Sequence, residues 1–134
     1  MDDLYRDEIL EHYRRPHNFG TLEHPDIVQE GSNPLCGDRL TLMLDVDEDG
    51  VVRDVAFTGR GCAISQASAS MLTDRLRGET LAQAAALTRQ NVLDDLGIEI
   101  SPARLKCAIL SVDTLHRALK GVVADVVIEE DAVP

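Results

Sequence analysis

In LTLMLDV, residues 40–46, successive side chains alternate between the two sides of an extended chain. Thr41, Met43 and Asp45 face one way, and Leu40, Leu42, Leu44 and Val46 face the other. A period of two predicts a β-strand with one buried face. Residues 47–50 form a predicted turn, and residues 51–58 form a second β-rich run, so the two runs predict a hairpin. Residues 27–32 predict a third strand.

The period changes after residue 60, where the sequence predicts helices. We expect helices at residues 2–13 (ending before Pro16), 63–76, 80–87, 90–96 and 101–119. Ser101 and Pro102 suit the N-cap and the first position of the last helix. Strands followed by helices are typical of an α+β domain, here a small antiparallel sheet covered by helices. The 134 residues suit a single domain, residues 1–134, with residues 122–134 as a short acidic tail.

The formal net charge of −11 restricts the classes of partner. Nucleic acids and anionic membranes are recognised by basic surfaces, so we expect neither as a partner. A basic protein or a cationic ligand suits this charge. We find no signal peptide and no membrane-spanning stretch. Because the cysteine count is three, an odd number, a disulfide framework is not expected; we predict a cytoplasmic protein with reduced thiols.

The three cysteines occupy loop or helix-start positions. Cys36 lies two residues before Asp38 in the loop that enters the first hairpin strand, and both side chains could reach one ion. Cys62 follows the second strand at the start of a helix, and Cys107 lies near the start of the last helix. A helix N-terminus and neighbouring cations both favour a thiolate. The cations concerned are Arg60, Arg104 and Lys106.

Composition and spacing leave two interpretations of these thiols open, a shared site or three unrelated core residues. The absence of a CxxC pair excludes the zinc-ribbon and thioredoxin patterns, and the deaminase pattern is missing as well. The four histidines lie in no ligand spacing, so we interpret them as surface or structural residues: His12, His17, His24 and His116.

Four sequence segments together resemble one family. NPLCGD (33–38), GRGCAISQASAS (59–70) and LKCAIL (105–110) resemble the three cysteine motifs of the IscU/SufU/NifU N-terminal family, and HYRRPHNFG (12–20) is similar to its opening segment. The resemblance covers about residues 4–119. It implies a three-stranded antiparallel sheet with helices on one face, and a zinc ion or a transient [2Fe–2S] cluster at one exposed end. The implied ligands are Cys36, Asp38, Cys62 and Cys107.

Two segments depart from the IscU pattern. Lys106 stands where IscU-type proteins usually have a histidine, which is similar to the SufU branch. The interval between Cys62 and Cys107, however, is too short for the usual SufU insertion. The chaperone-recognition motif Leu-Pro-Pro-Val-Lys is replaced by SPARL at residues 101–105, so we do not expect docking to the specialised Hsp70.

The resemblance implies an iron–sulfur cluster assembly protein that accepts sulfur from a cysteine desulfurase and serves apo iron–sulfur proteins or carriers. We expect a non-enzymatic scaffold, with Cys107 as the first sulfur acceptor, Cys36 as the second and Lys106 as a modulating residue. One alternative is a zinc-dependent sulfurtransferase that activates the desulfurase without holding a cluster. A second is a domain with a purely structural zinc or thiol site.

Overall fold

A computed structural model describes residues 2–123 and shows one antiparallel sheet of three strands in the order β1–β2–β3. The strands are β1 (Ile27–Asn33), β2 (Asp38–Val46) and β3 (Val52–Arg60). The α-helices are α1 (Asp2–Arg14), α2 (Ala63–Leu76), α3 (Leu81–Ala85), α4 (Arg89–Leu96) and α5 (Leu105–Leu119). The predicted α+β class and the third strand are confirmed. Residues 124–134, most of the predicted acidic tail, lie outside the described residues.

The alternation along β2 places one face of the sheet in the core. Leu40, Leu42 and Leu44 join the hydrophobic cluster together with Val55 and Phe57 of β3, and α2 and α5 pack on this face. The opposite face is less exposed than strict alternation predicts. Met43 is 5% exposed and pairs in register with Ala56, which is also buried.

Local chemistry explains where the hairpin turns. Asp47 Oδ1 accepts hydrogen bonds from the amides of Asp49 and Val51, at 2.9 and 3.0 Å. Gly50 has a φ of 77°, which glycine adopts without a Cβ penalty. The register shifts at Asp45 and Val46, just before this turn.

Side-chain caps begin two of the four α-helices that the structure describes in the second half, α3 and α4. Thr80 forms a capping box with Gln83 at the start of α3, and Thr88 and Asn91 do the same for α4. The last helix begins differently from the prediction. Residues 102–104 form a turn of 3-10 helix, Ser101 makes no side-chain cap bond, and the α-helix starts at Leu105.

Helix α2 is the central helix of the fold, and its small side chains permit close contact with α5. Ser68 Oγ donates to the carbonyl of Ala108 at 2.6 Å and lies 2.9 Å from Ser111 Oγ. These hydroxyls are fully buried and satisfied by each other, which is what a stable interior requires. The contact holds the start of α2, after Cys62, close to the start of α5, which contains Cys107.

In the described part of the chain, residues 2–123, every helix is too short or too polar to cross a bilayer.

Candidate metal centre

The β1–β2 loop presents Cys36 and buries Asp38. Asn33 and Asp38 pair in register, so the four residues between them form a tight connection. The Cys36 amide donates to the Asn33 carbonyl at 3.2 Å, and Gly37 has a φ of 71°. As a result the Cys36 side chain is exposed at the tip, while Asp38 is only 1% exposed.

Cys62 occupies the N-cap position of α2, as the sequence predicts, in an extended conformation and without capping the helix through its side chain. Its amide donates to Asp38 Oδ1 at 3.1 Å, so the carboxylate is oriented by backbone from another element. Gly61 allows this close approach. A Cβ at residue 61 would lie 2.3 Å from Asp38 Oδ1 and 2.4 Å from Ser65 Oγ.

Cys107 lies in the first turn of α5 and is 1% exposed. The side chain of Asn33, itself buried, donates from Nδ2 to Cys107 Sγ at 3.7 Å. Sequence reasoning did not assign Asn33 a role, although it is the first residue of the NPLCGD segment. Its position in that segment is the signal that could have identified it.

These three elements bring three of the four predicted ligands together and place Cys62 beside them. Ligand atoms of Cys36, Asp38 and Cys107 lie within 4.8 Å of one another. Cys62 is outside this triplet, but its amide bonds Asp38 and its thiol is near enough to Cys107 to influence the pKa of that thiol. Asp38 Oδ2 is buried and has no hydrogen-bond partner. An unpartnered buried carboxylate oxygen beside thiols is a donor set that a cation would complete.

Burial raises the pKa of the Cys107 thiol above its ordinary value, and Asp38, Cys36 and Cys62 raise it further. The expectation that Lys106 and Arg104 favour the Cys107 thiolate is therefore wrong for the metal-free chain. Both cations are exposed at the surface, whereas the thiol is buried, so desolvation and the neighbouring acidic groups dominate. A bound metal cation would instead lower the pKa of the Cys107 thiol, because metal ions deprotonate the thiols they coordinate.

The histidines lie away from these cysteines. His24 is exposed, and His116 is buried with its Nε2 2.6 Å from the carbonyl of Leu87, so both fit the predicted surface or structural role. His12 and His17 are different, because they lie together beside Asp74. Spacing along the chain does not predict this arrangement, since Asp74 is 57 residues from His17.

Comparison with known proteins identifies the family. The sequence model of the NifU-like N-terminal domain family matches residues 4–125 of this chain. The chain belongs to the NifU-like N-terminal domain family. It is 36% identical to the zinc-dependent sulfurtransferase SufU of Bacillus subtilis, over 89% of this chain and 91% of SufU. It is 38% identical to the iron–sulfur cluster assembly scaffold protein IscU of Thermotoga maritima, over 89% and 94% of the two chains.

The fold agrees with this family assignment. The N-terminal part of a nitrogen-fixing NifU-like protein from Brucella abortus superimposes with a TM-score of 0.70 at 27% identity, covering 88% of this chain and 93% of that chain. The three-stranded antiparallel sheet with helices on one face, which the resemblance implied, is therefore confirmed.

Proposed function

We propose that this chain is an iron–sulfur cluster assembly protein whose ligands are Cys36, Asp38, Cys62 and Cys107. The observation that carries the proposal is the buried, unpartnered Oδ2 of Asp38 in a side chain that lies within ligand distance of two thiols. Relatives named as an IscU scaffold and as the sulfurtransferase SufU support the same role. We further propose that the whole chain is one domain of this family and that it works in the reducing cytoplasm.

The donor set fits zinc. Three thiolates and one carboxylate supply four ligands, the number that tetrahedral zinc requires. When bound, zinc would hold the thiols deprotonated and fix their positions. The same thiols suit an iron–sulfur cluster as cargo. The one oxygen donor among three sulfurs makes that cargo easier to release, because oxygen is a harder and poorer ligand for the cluster iron.

Sulfur acceptance follows from thiol–disulfide chemistry. A thiolate attacks the terminal sulfur of a desulfurase persulfide, the S–S bond breaks, and the desulfurase cysteine leaves as a thiolate, so no net oxidation occurs. Cys36 and Cys107 are the proposed acceptors. Cys36 is exposed on its loop, whereas Cys107 is buried and burial raises the pKa of its thiol. Access therefore favours Cys36 as the first acceptor until the site is loaded.

The surroundings of the site suit a protein donor. An open groove of ≈ 740 Å³ lies beside Asp38 and is lined by the end of β1, the start of β2, Pro34 and Gly37 between them, and Arg117. Lys106 is exposed next to Cys107 and would modulate the approach of a partner. The net charge of −11 favours encounter with a basic docking surface, and that contribution weakens as salt is added.

A zinc-dependent sulfurtransferase that never carries a cluster is the second candidate function. Lys106, in place of the histidine of IscU-type proteins, and the identity to SufU favour it. Anaerobic purification followed by iron, sulfide and zinc analysis separates the candidates. A scaffold yields iron and sulfide together, and the sulfurtransferase yields zinc alone.

Sulfide release by a cysteine desulfurase of the SufS or IscS type, with a reductant, tests the shared role. We expect stimulation by the wild-type chain and impaired stimulation by the alanine variants of Cys36, Cys62 and Cys107. His24→Ala is the matched control, because His24 is exposed and distant in sequence from every ligand. If the wild-type chain neither stimulates sulfide release nor accepts labelled sulfur, the sulfur-transfer role is wrong, and a purely structural metal site becomes the better description.

A further inference from the structure

A second cluster of metal-ligating side chains lies at the other end of α2. It comprises His12 in α1, His17 in the turn after α1, and Asp74 in the last turn of α2, with ligand atoms within 4.8 Å of one another. Asp74 is twelve residues beyond Cys62, which at 1.5 Å per residue places it roughly 18 Å along the helix from the cysteine site. The two clusters share no residue.

We propose that His12, His17 and Asp74 form a second binding site for a divalent transition-metal ion such as zinc. Two imidazoles and one carboxylate are a donor set that catalytic and non-haem metal sites use, and water supplies the remaining position. This proposal does not depend on the function proposed for the cysteines.

Residues outside the cluster contact two of its three side chains, those of Asp74 and His12. Asp74 Oδ2 lies 2.6 Å from His17 Nδ1, and its Oδ1 accepts from Asn18 Nδ2 at 3.0 Å. His12 Nδ1 lies 2.7 Å from Ser70 Oγ, which also accepts the His17 amide at 2.8 Å. Such outer contacts orient ligands and increase metal affinity. The ion would lie between His17 Nδ1 and Asp74 Oδ2, in place of their direct contact.

The backbone explains why the two histidines meet. Asn18 has a φ of 61°, a left-handed conformation that asparagine tolerates, and it turns the chain back after α1. The ring centroids of His12 and His17 are consequently 4.4 Å apart. Two nitrogen ligands of one ion can therefore come from adjacent rings.

The surroundings are open to solvent and negative. A cleft of ≈ 300 Å³ borders His12 and Asp74, and Glu8 lines it too. Arg75, the cation in this cleft, is neutralised by a paired contact with Asp95. The side chains of His17 and Asp74 are 51% and 46% exposed, so an ion can reach them directly from water.

The test is zinc binding measured by competition with a chromophoric chelator. We expect two zinc ions per wild-type chain, and one per chain after His17→Asn or Asp74→Asn, with the affinity of the second site reduced at least tenfold. His24→Asn is the control and retains both. Cys36→Ser/Cys62→Ser/Cys107→Ser retains the histidine-site ion and loses the other.

Cobalt provides a readout that does not need the triple variant to fold. In the wild-type chain, the first Co²⁺ to enter the cysteine site shows thiolate-to-metal charge transfer, and the ion at the histidine site adds only weak d–d bands. Circular dichroism confirms that His17→Asn and Asp74→Asn are folded. The proposal is overturned if His17→Asn and Asp74→Asn both bind as many zinc ions as the wild-type chain, with unchanged affinities.

Discussion

Replacing Gly61 by alanine tests how the cysteine site is assembled, because this glycine contacts the proposed oxygen ligand. The added Cβ would lie 2.3 Å from Asp38 Oδ1. Ordinary carbon contacts begin near 3.5 Å, so the carboxylate must move by about 1 Å. Asp38 is 1% exposed, and moving it breaks the 3.1 Å hydrogen bond from the Cys62 amide.

The expected size of the effect follows from these contacts. Overpacking a buried position costs about 1–3 kcal/mol, which should lower the melting temperature of the metal-free chain by several degrees. Displacing an oriented ligand should weaken zinc binding by roughly 10- to 100-fold. Chelator competition measures the affinity, and thermal unfolding by circular dichroism measures the stability. Gly121→Ala is the matched control, since nothing lies within 4 Å of a Cβ there.

A double-mutant cycle identifies the cause. In an Asp38→Ala background the clash with the carboxylate is gone and only the contact with Ser65 Oγ remains, so Gly61→Ala should weaken zinc binding much less than in the wild-type background. The reasoning is refuted if Gly61→Ala binds zinc as the wild-type chain does, or if it weakens binding equally in both backgrounds.

Two predictions concern single ligands. Asp38→Ala removes the oxygen donor, so a reconstituted cluster should decay more slowly in air, as followed by visible absorbance; a faster decay would exclude a labilising role. In the metal-free chain the pKa of the Cys107 thiol is raised, so this thiol keeps its proton in the folded state at a pH where it has lost it in the unfolded state. The free energy of unfolding should therefore fall as pH rises above about 8.5, by at most ~1.4 kcal/mol per pH unit. Denaturant titrations from pH 7 to 10 should show this slope in the wild-type chain and not in Cys107→Ala. Because Cys36 is exposed and Cys107 is buried, mass spectrometry should show Cys36 alkylated before Cys107.

Elements determined by local sequence could be predicted closely. Helix α2 begins and ends at residues 63 and 76, as expected, because Gly61 and Gly78 interrupt the pattern on both sides. The hairpin was equally clear, since a strictly alternating run and a β-rich run flank a turn in which Asp47 and Gly50 have specific roles. The start of α5 was predicted too early, because Ser101 and Pro102 begin a 3-10 turn and the α-helix itself starts at Leu105.

The candidate sites show where sequence information ends. Spacing left a shared cysteine site and three unrelated thiols equally open, and family resemblance was needed to prefer one. The basic neighbours of Cys107 suggested a thiolate, but burial depends on how α5 packs, which Lys106 and Arg104 do not reveal. His12 and His17 were interpreted as surface or structural residues because their partner Asp74 is distant in sequence and only the packing of α1 on α2 brings them together.

Helix α2 links the two candidate sites through buried hydroxyl groups rather than through an apolar stripe. Ser68 bonds α5 beneath the cysteine site, and Ser70, two residues on, bonds His12 and the amide of His17. Side chains two residues apart on an α-helix point about 200° apart, so the hydroxyls of Ser68 and Ser70 contact neighbours on opposite sides of α2. Because the helix is buried on several sides, its sequence has little amphipathic signal, and its small side chains are required for two close packings at once. Each candidate site therefore takes one donor from an end of this central helix, Cys62 at its start and Asp74 in its last turn.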